Sequence, residues 1–189
     1  MRLIYFILII LGGLLVSCER YKTKYNLNKL TSHTITIPDS LIKIINCSDI
    51  NNWRNNYSDV EYKFIHFLDS STCIPCEFGY FDKWNNILSI DSITSGKIKF
   101  YFIINPSNEY KDNISRHYQI SDIKYPIFID YHSYLEKTNS HIPKSKKYHS
   151  FLLNEFNQVV FVGNPTQDST LYSSFYNILQ TKYNIKHPQ

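Results

Sequence analysis

The chain has 189 residues and a formal charge of +4, its 20 Lys and Arg interspersed among 16 Asp and Glu, so no basic nucleic-acid footprint stands out. Hydrophobic residues make up 43% and charged residues 19%, which permits one well-buried domain and excludes a chain disordered by composition. Glycine is scarce, 5 in all with two in the first apolar run, and this excludes the glycine-rich phosphate loops of nucleotide-binding proteins.

Met1-Arg2 opens on a positive charge, and Leu3 to Val16 is an unbroken run of 14 apolar or glycine residues. A bilayer crossing needs about 20 such residues. The shorter run fits the hydrophobic core of a secretory signal. It ends in Leu15-Val16-Ser17-Cys18, which resembles the bacterial lipobox. That resemblance implies cleavage before Cys18, lipidation of Cys18, and a membrane partner through the acyl chains, since two or more chains anchor stably. The expected organisation is a signal peptide over 1–17, a lipidated cysteine and polar tether over 18–34, and a folded domain over 35–185. The expected location is the bacterial cell envelope, with the domain in the periplasm.

In chain order, Thr34-Ile35-Thr36-Ile37 alternates with β-branched residues and Leu41-Ile42-Lys43-Ile44-Ile45 follows Pro38-Asp39, which predicts two short strands joined by a turn. Asn46 to Asp59 is polar and holds at most a helical turn. Lys63 to Leu68 is apolar on both faces except at Lys63 and His66, the pattern of a strand covered on both sides. Phe78, Phe81, Trp84, Ile87 and Leu88 then recur at helical spacing over Glu77 to Ile90. Lys97–Ile104 reads as a strand, Glu109–Tyr118 as a helix, Pro126–Asp130 as a short strand and Tyr131–Asn139 as a short helix. Phe151–Leu153 and Val159–Val162 form a hairpin around Asn154–Asn157, and Ser169–Tyr183 is a final helix. Strands alternating with helices, closed by a hairpin and a helix, imply a single α/β domain: a central mixed β-sheet flanked by helices, with an N-terminal strand extension.

The chemistry centres on Cys73-Ile74-Pro75-Cys76, placed directly after the buried strand and at the start of a helix. At a helix N-terminus, unpaired N–H groups favour a thiolate, so Cys73 is expected exposed and acidic, with Cys76 one turn deeper. A spacing of three lets the sulfurs meet. The residues alone leave three readings of the pair: a redox dithiol, a structural disulfide, or half of a zinc site completed by Cys47 and a histidine. Cys47 reads as a buried small hydrophobe and His66 as a satisfied core histidine. Glu77 is either a proton acceptor for Cys76 or a first-turn acid favoured by the helix dipole.

The run from Phe64–Leu68 through Cys73-Ile74-Pro75-Cys76, Ile98–Asn105, Tyr125–Asp130 and Ser150–Pro165 resembles the thioredoxin superfamily. Within it, the likeness is to the TlpA-like, envelope-facing thiol–disulfide oxidoreductases, whose lipid-anchored members occur in Bacteroidetes-type bacteria. The resemblance implies an enzyme acting on protein thiols and disulfides, with Cys73 as nucleophile and Cys76 as resolving thiol. It implies a thioredoxin-like fold, no cofactor, no metal, no nucleic-acid partner and a monomer. Two departures stand out. Thr72 occupies the place of the family's aromatic residue, and Tyr148-His149 the place of its cis-proline before the hairpin. Tyr148 and His149 are therefore candidate neighbours of the substrate loop, His149 either facing the cysteines or lying on a surface loop. The alternative to an enzyme is a non-catalytic, lipid-anchored thioredoxin-fold binding or assembly module that keeps a structural disulfide.

Overall fold

A computed structural model describes residues 18–44, 60–121, 123 and 125–183. The expected signal segment, Cys47, the polar stretch around it and the last residues of the expected domain lie outside the described residues.

Strands β2 (Tyr62–Leu68) and β3 (Ile98–Ile104) are apolar runs interrupted only at Lys63, His66 and Lys99, and such runs belong where both faces are covered. Their pairing satisfies that demand. They lie side by side in parallel, from Tyr62↔Ile98 to Leu68↔Ile104, at the centre of a six-stranded mixed sheet. On one side, β4 (Ile127–Ile129) runs parallel to β3, and β1 (Ile42–Ile44) closes the edge antiparallel to β4. On the other side, β5 (Ser150–Leu153) is antiparallel to β2, and β6 (Val159–Val162) completes the hairpin. The order is β1-β4-β3-β2-β5-β6.

Side chains alternate across the sheet with a period of two, and each face has its own core. Phe64 and Leu68 of β2 point into a cluster with α2 (Ile74–Gly79), a 3₁₀ turn (Phe81–Trp84), α3 (Asn85–Ile93), α4 (Ile114–Ile120) and α6 (Ser169–Tyr183). Ile65 and Phe67 point into the opposite cluster, with Leu30, Leu135 of α5 (Tyr134–Thr138) and Tyr148. A parallel β2–helix–β3 unit, followed by the β5–β6 hairpin and a last helix, is the thioredoxin-like arrangement, with β1 and β4 added beyond β3. The one cation inside β3, Lys99, is buried and held by both carboxylate oxygens of Asp91 at 2.9 and 3.1 Å.

Four local expectations change. Residues 18–31 are helical (α1) rather than an irregular tether, and the helix docks because Leu30 is fully buried against the second cluster. Thr34–Ile37 forms only an isolated bridge, Thr34 to Gln158, so the first predicted strand is absent while the second is β1. The single helix expected over Glu77–Ile90 is three pieces. Phe78, Phe81 and Trp84 repeat every three residues, a spacing that the 3₁₀ turn matches and an α-helix does not, and all three are buried. The helix predicted at Glu109–Tyr118 is turns up to Asn113, then α4.

Candidate redox site

Strand β2 ends at Leu68, and the next four residues form a turn organised by one carboxylate. Asp69 Oδ1 accepts hydrogen bonds from the Ser71 N–H at 3.0 Å, the Ser71 hydroxyl at 2.7 Å and the Thr72 hydroxyl at 3.0 Å. Burial opposes ionisation of Asp69, but the Ser71 and Thr72 bonds outweigh it and hold the carboxyl below its ordinary range. The turn hands the chain to Cys73, which caps α2, and Pro75 sits in the first turn, where a missing N–H is tolerated.

Cys73 and Cys76 are joined in a disulfide, with Cα atoms 5.3 Å apart. Both residues are exposed, which corrects the expectation of a deeper Cys76. The reason is helical phase. Ile74 and Phe78, four apart, are the positions of α2 that face the core, and Cys76 lies about 200° around the axis from Ile74. Pro75 also borders a surface groove of about 820 Å³ between α2, the 3₁₀ turn, α3 and α4, lined in part by Phe78, Leu88, Ile120 and Tyr125.

Glu77, directly after Cys76, is half-buried; burial pushes its carboxyl up against the opposing pull of Lys146. It lines a cavity of about 10 Å³, room for about one water, whose walls include His66, Phe81, Trp84 and Phe102. His66 is a core histidine, as expected. Its Nδ1 lies 2.8 Å from the Ser150 hydroxyl, and its ring packs on Trp84. Burial, with a smaller push from His149, lowers its pKa to about 3.

His149 does not lie on a surface loop. It is buried, with Nε2 3.0 Å from the Pro143 carbonyl oxygen, Nδ1 3.8 Å from Asp69 Oδ2, and its ring on Phe67. Burial lowers its pKa although Asp69 pulls the other way. Tyr148 is buried in the second cluster, so the two side chains at the expected cis-proline position form core rather than the wall of an open groove. No cis peptide bond occurs among the described residues.

Both histidines favour the neutral form in the folded chain, which sets the sign of a pH effect. Unfolded histidine takes a proton near pH 6.5, while folded His66 takes one only near 3, so stability rests on the neutral form above 6.5 and is lost as pH falls through that window. The urea midpoint is therefore expected to fall as pH drops below 6.5, and His66→Gln to flatten that fall, leaving the part due to His149.

Two residues at the site escaped the sequence reading. Asp69 carried a local signal, Asp-Ser-Ser-Thr at the end of a strand, the composition of a side-chain-capped turn. Lys146 carried none. Its Nζ donates to the Ser71 carbonyl at 3.2 Å across 75 positions of sequence, and only the packing of the loop before β5 brings it there.

No protein-family model matches the chain, and no curated protein matches it. Among solved structures, a thioredoxin-like protein from Bacteroides caccae is similar at 12% identity and a TM-score of 0.47, over 85% of this chain and 55% of that one. A conserved protein of unknown function from Bacteroides fragilis is similar at 10% identity and 0.43, over 62% and 81%. The C-terminal domain of an uncharacterized protein from Bacteroides fragilis is similar at 14% and 0.41, over 60% and 78%. The thioredoxin-like description of this chain rests on its own strand order and on the disulfide that opens the helix after the central strand.

Proposed function

We propose that the chain is a TlpA-like thiol–disulfide oxidoreductase, anchored through a lipidated Cys18 and working on the periplasmic side of a bacterial envelope membrane. The observation that carries the reading is the exposed Cys73–Cys76 disulfide at the strand-to-helix junction. In the reduced protein, the Cys73 thiolate attacks one sulfur of a client disulfide. A Cys73–client bond forms, and the client's other sulfur leaves as a thiolate. Cys76 then loses its proton and attacks Cys73, which restores the intramolecular disulfide and releases the second client thiol. Glu77 follows Cys76 in the chain and its carboxyl is pushed up by burial, and we assign it the role of taking that proton. The anchor reading is supported by the sequence, in which the apolar run Leu3 to Val16 leads into Ser17-Cys18, and Cys18 is an exposed free cysteine.

The test is an equilibrium titration of the dithiol against glutathione, with Cys73→Ser as control. A reversible two-electron transition that Cys73→Ser removes is the expected result. Cysteines that do not exchange would overturn the reading. The second reading, a non-catalytic module with a structural disulfide, draws on the filled position at Tyr148-His149. It predicts a disulfide that exchanges only over hours and a Cys73→Ser/Cys76→Ser protein that keeps its cellular function.

A further inference from the structure

We propose that the Lys144-Ser145-Lys146-Lys147 loop is a docking surface for protein clients whose disulfide is flanked by acidic residues. The proposal rests on the oxidoreductase reading above and names the client chemistry it serves. All four loop residues are exposed. Lys146 donates to the Ser71 carbonyl, two residues before Cys73, stands 3.9 Å from the Asp69 carboxylate, and exerts its field on Glu77, one residue after Cys76. It thus borders the disulfide on both flanks. Lys147 extends the charge the other way, donating to the Thr23 hydroxyl of α1 at 3.2 Å, and exposed Lys22 and Lys24 sit on either side of Thr23.

The acids in the neighbourhood do not cancel this. Asp69, its carboxyl held below the ordinary range by its hydrogen bonds, offsets one of these charges, that of Lys146 at 3.9 Å. Glu77 and Glu136 offset two more, which leaves the charges of the five lysines Lys22, Lys24, Lys144, Lys146 and Lys147 in excess. A client sulfur approaching Cys73 therefore meets an excess of positive charge. Steering by such a field raises association rates by about 10 to 1,000-fold and is screened beyond about 8–10 Å at physiological salt. The reactive disulfide within this surface selects a protein client over an anionic membrane as its partner.

The experiment uses the full-length protein, reduced and solubilised in detergent, with two synthetic disulfide peptides of equal length, one with Asp and Glu beside its cysteines and one with Lys. At about 0.01 M salt the acidic peptide is expected to be reduced about tenfold faster, and at about 0.5 M the ratio is expected to fall below about twofold. Lys144→Gln/Lys147→Gln is expected to bring the low-salt ratio toward one. Equal rates at low salt would overturn the docking proposal alone. Reduction of neither peptide would overturn the oxidoreductase reading and this one with it. A double variant that keeps the ratio but loses binding to anionic phospholipid vesicles would overturn it too, and would assign the loop to a membrane surface.

Discussion

Cys76→Ser is expected to accumulate as a covalent adduct with its client, whereas Cys73→Ser forms none. The asymmetry follows from the two steps of exchange. Cys73 opens the helix after β2 and makes the first bond, and Cys76, three residues on, is the thiol that breaks it. Serine at 76 leaves the attack intact and removes the resolution, so the mixed disulfide persists until an external thiol cleaves it. Serine at 73 leaves Cys76, which the resemblance assigns no first attack. Turnover in either variant is expected to fall by at least on the order of a thousandfold, as for other paired groups that act as a unit. Non-reducing electrophoresis after mixing with an oxidised client reads the result directly. An adduct with Cys73→Ser and none with Cys76→Ser would reverse the two roles. No adduct with either would favour the binding module. Glu77 adds a graded version of the same test. Its removal leaves the first step and slows the second, so Glu77→Gln is expected to form the adduct normally and release it late.

The parts of the fold legible in the sequence are those where one pattern has one solution. Apart from Lys63, His66 and Lys99, β2 and β3 are apolar on both faces, the pattern of the centre of a covered sheet. The final helix carries a clean amphipathic period, and it spans Ser169–Tyr183 as read. The failures have physical causes as well. The stretch over 18–31 is polar because most of its surface stays in water, and its single fully buried anchor, Leu30, meets a partner cluster assembled from residues 35 to 159. Nothing local announces that docking. The cysteine pair was legible for the same reason as β2, since spacing and placement are local properties. Its surroundings were not. Lys146 and His149 reach the Asp69 turn before it from 75 or more positions away in sequence, and the place expected to hold a cis-proline instead holds two side chains buried in the core. The depth of Cys76 was misjudged because helix phase depends on which neighbours are buried. Ile74 and Phe78 set that phase, and they turn both sulfurs outward.

The largest stability effect is expected at Phe64, the β2 residue at the crossing of the first core. Its ring is fully buried and meets Trp84 at 5.7 Å, Phe100 at 5.7 Å and Phe175 at 5.4 Å between centroids. Those partners come from the 3₁₀ turn, the neighbouring strand and the last helix, so one side chain joins three elements that are remote in sequence. Truncating such a ring costs about 3–5 kcal/mol, the transfer of its surface plus a cavity that rigid neighbours do not close. Against a total of about 5–15 kcal/mol for a domain, that is about a fifth or more of the stability. With a denaturant slope of about 2 kcal/mol/M, the urea midpoint of Phe64→Ala is expected about 1.5–2.5 M below the parent. Phe156→Ala at the hairpin tip, where the ring is 68% exposed, is expected within about 0.5 kcal/mol and serves as the control. Because Phe64 lies on β2, the strand that leads into the turn presenting Cys73, the loss also reads on the site. If the strand positions the pair, Phe64→Ala is expected to lower the reaction rate of the reduced Cys73 thiol with an alkylating agent in step with unfolding, as the helix terminus that favours its thiolate is lost. A midpoint within about 0.5 M of the parent would show that the first core is not centred on this ring.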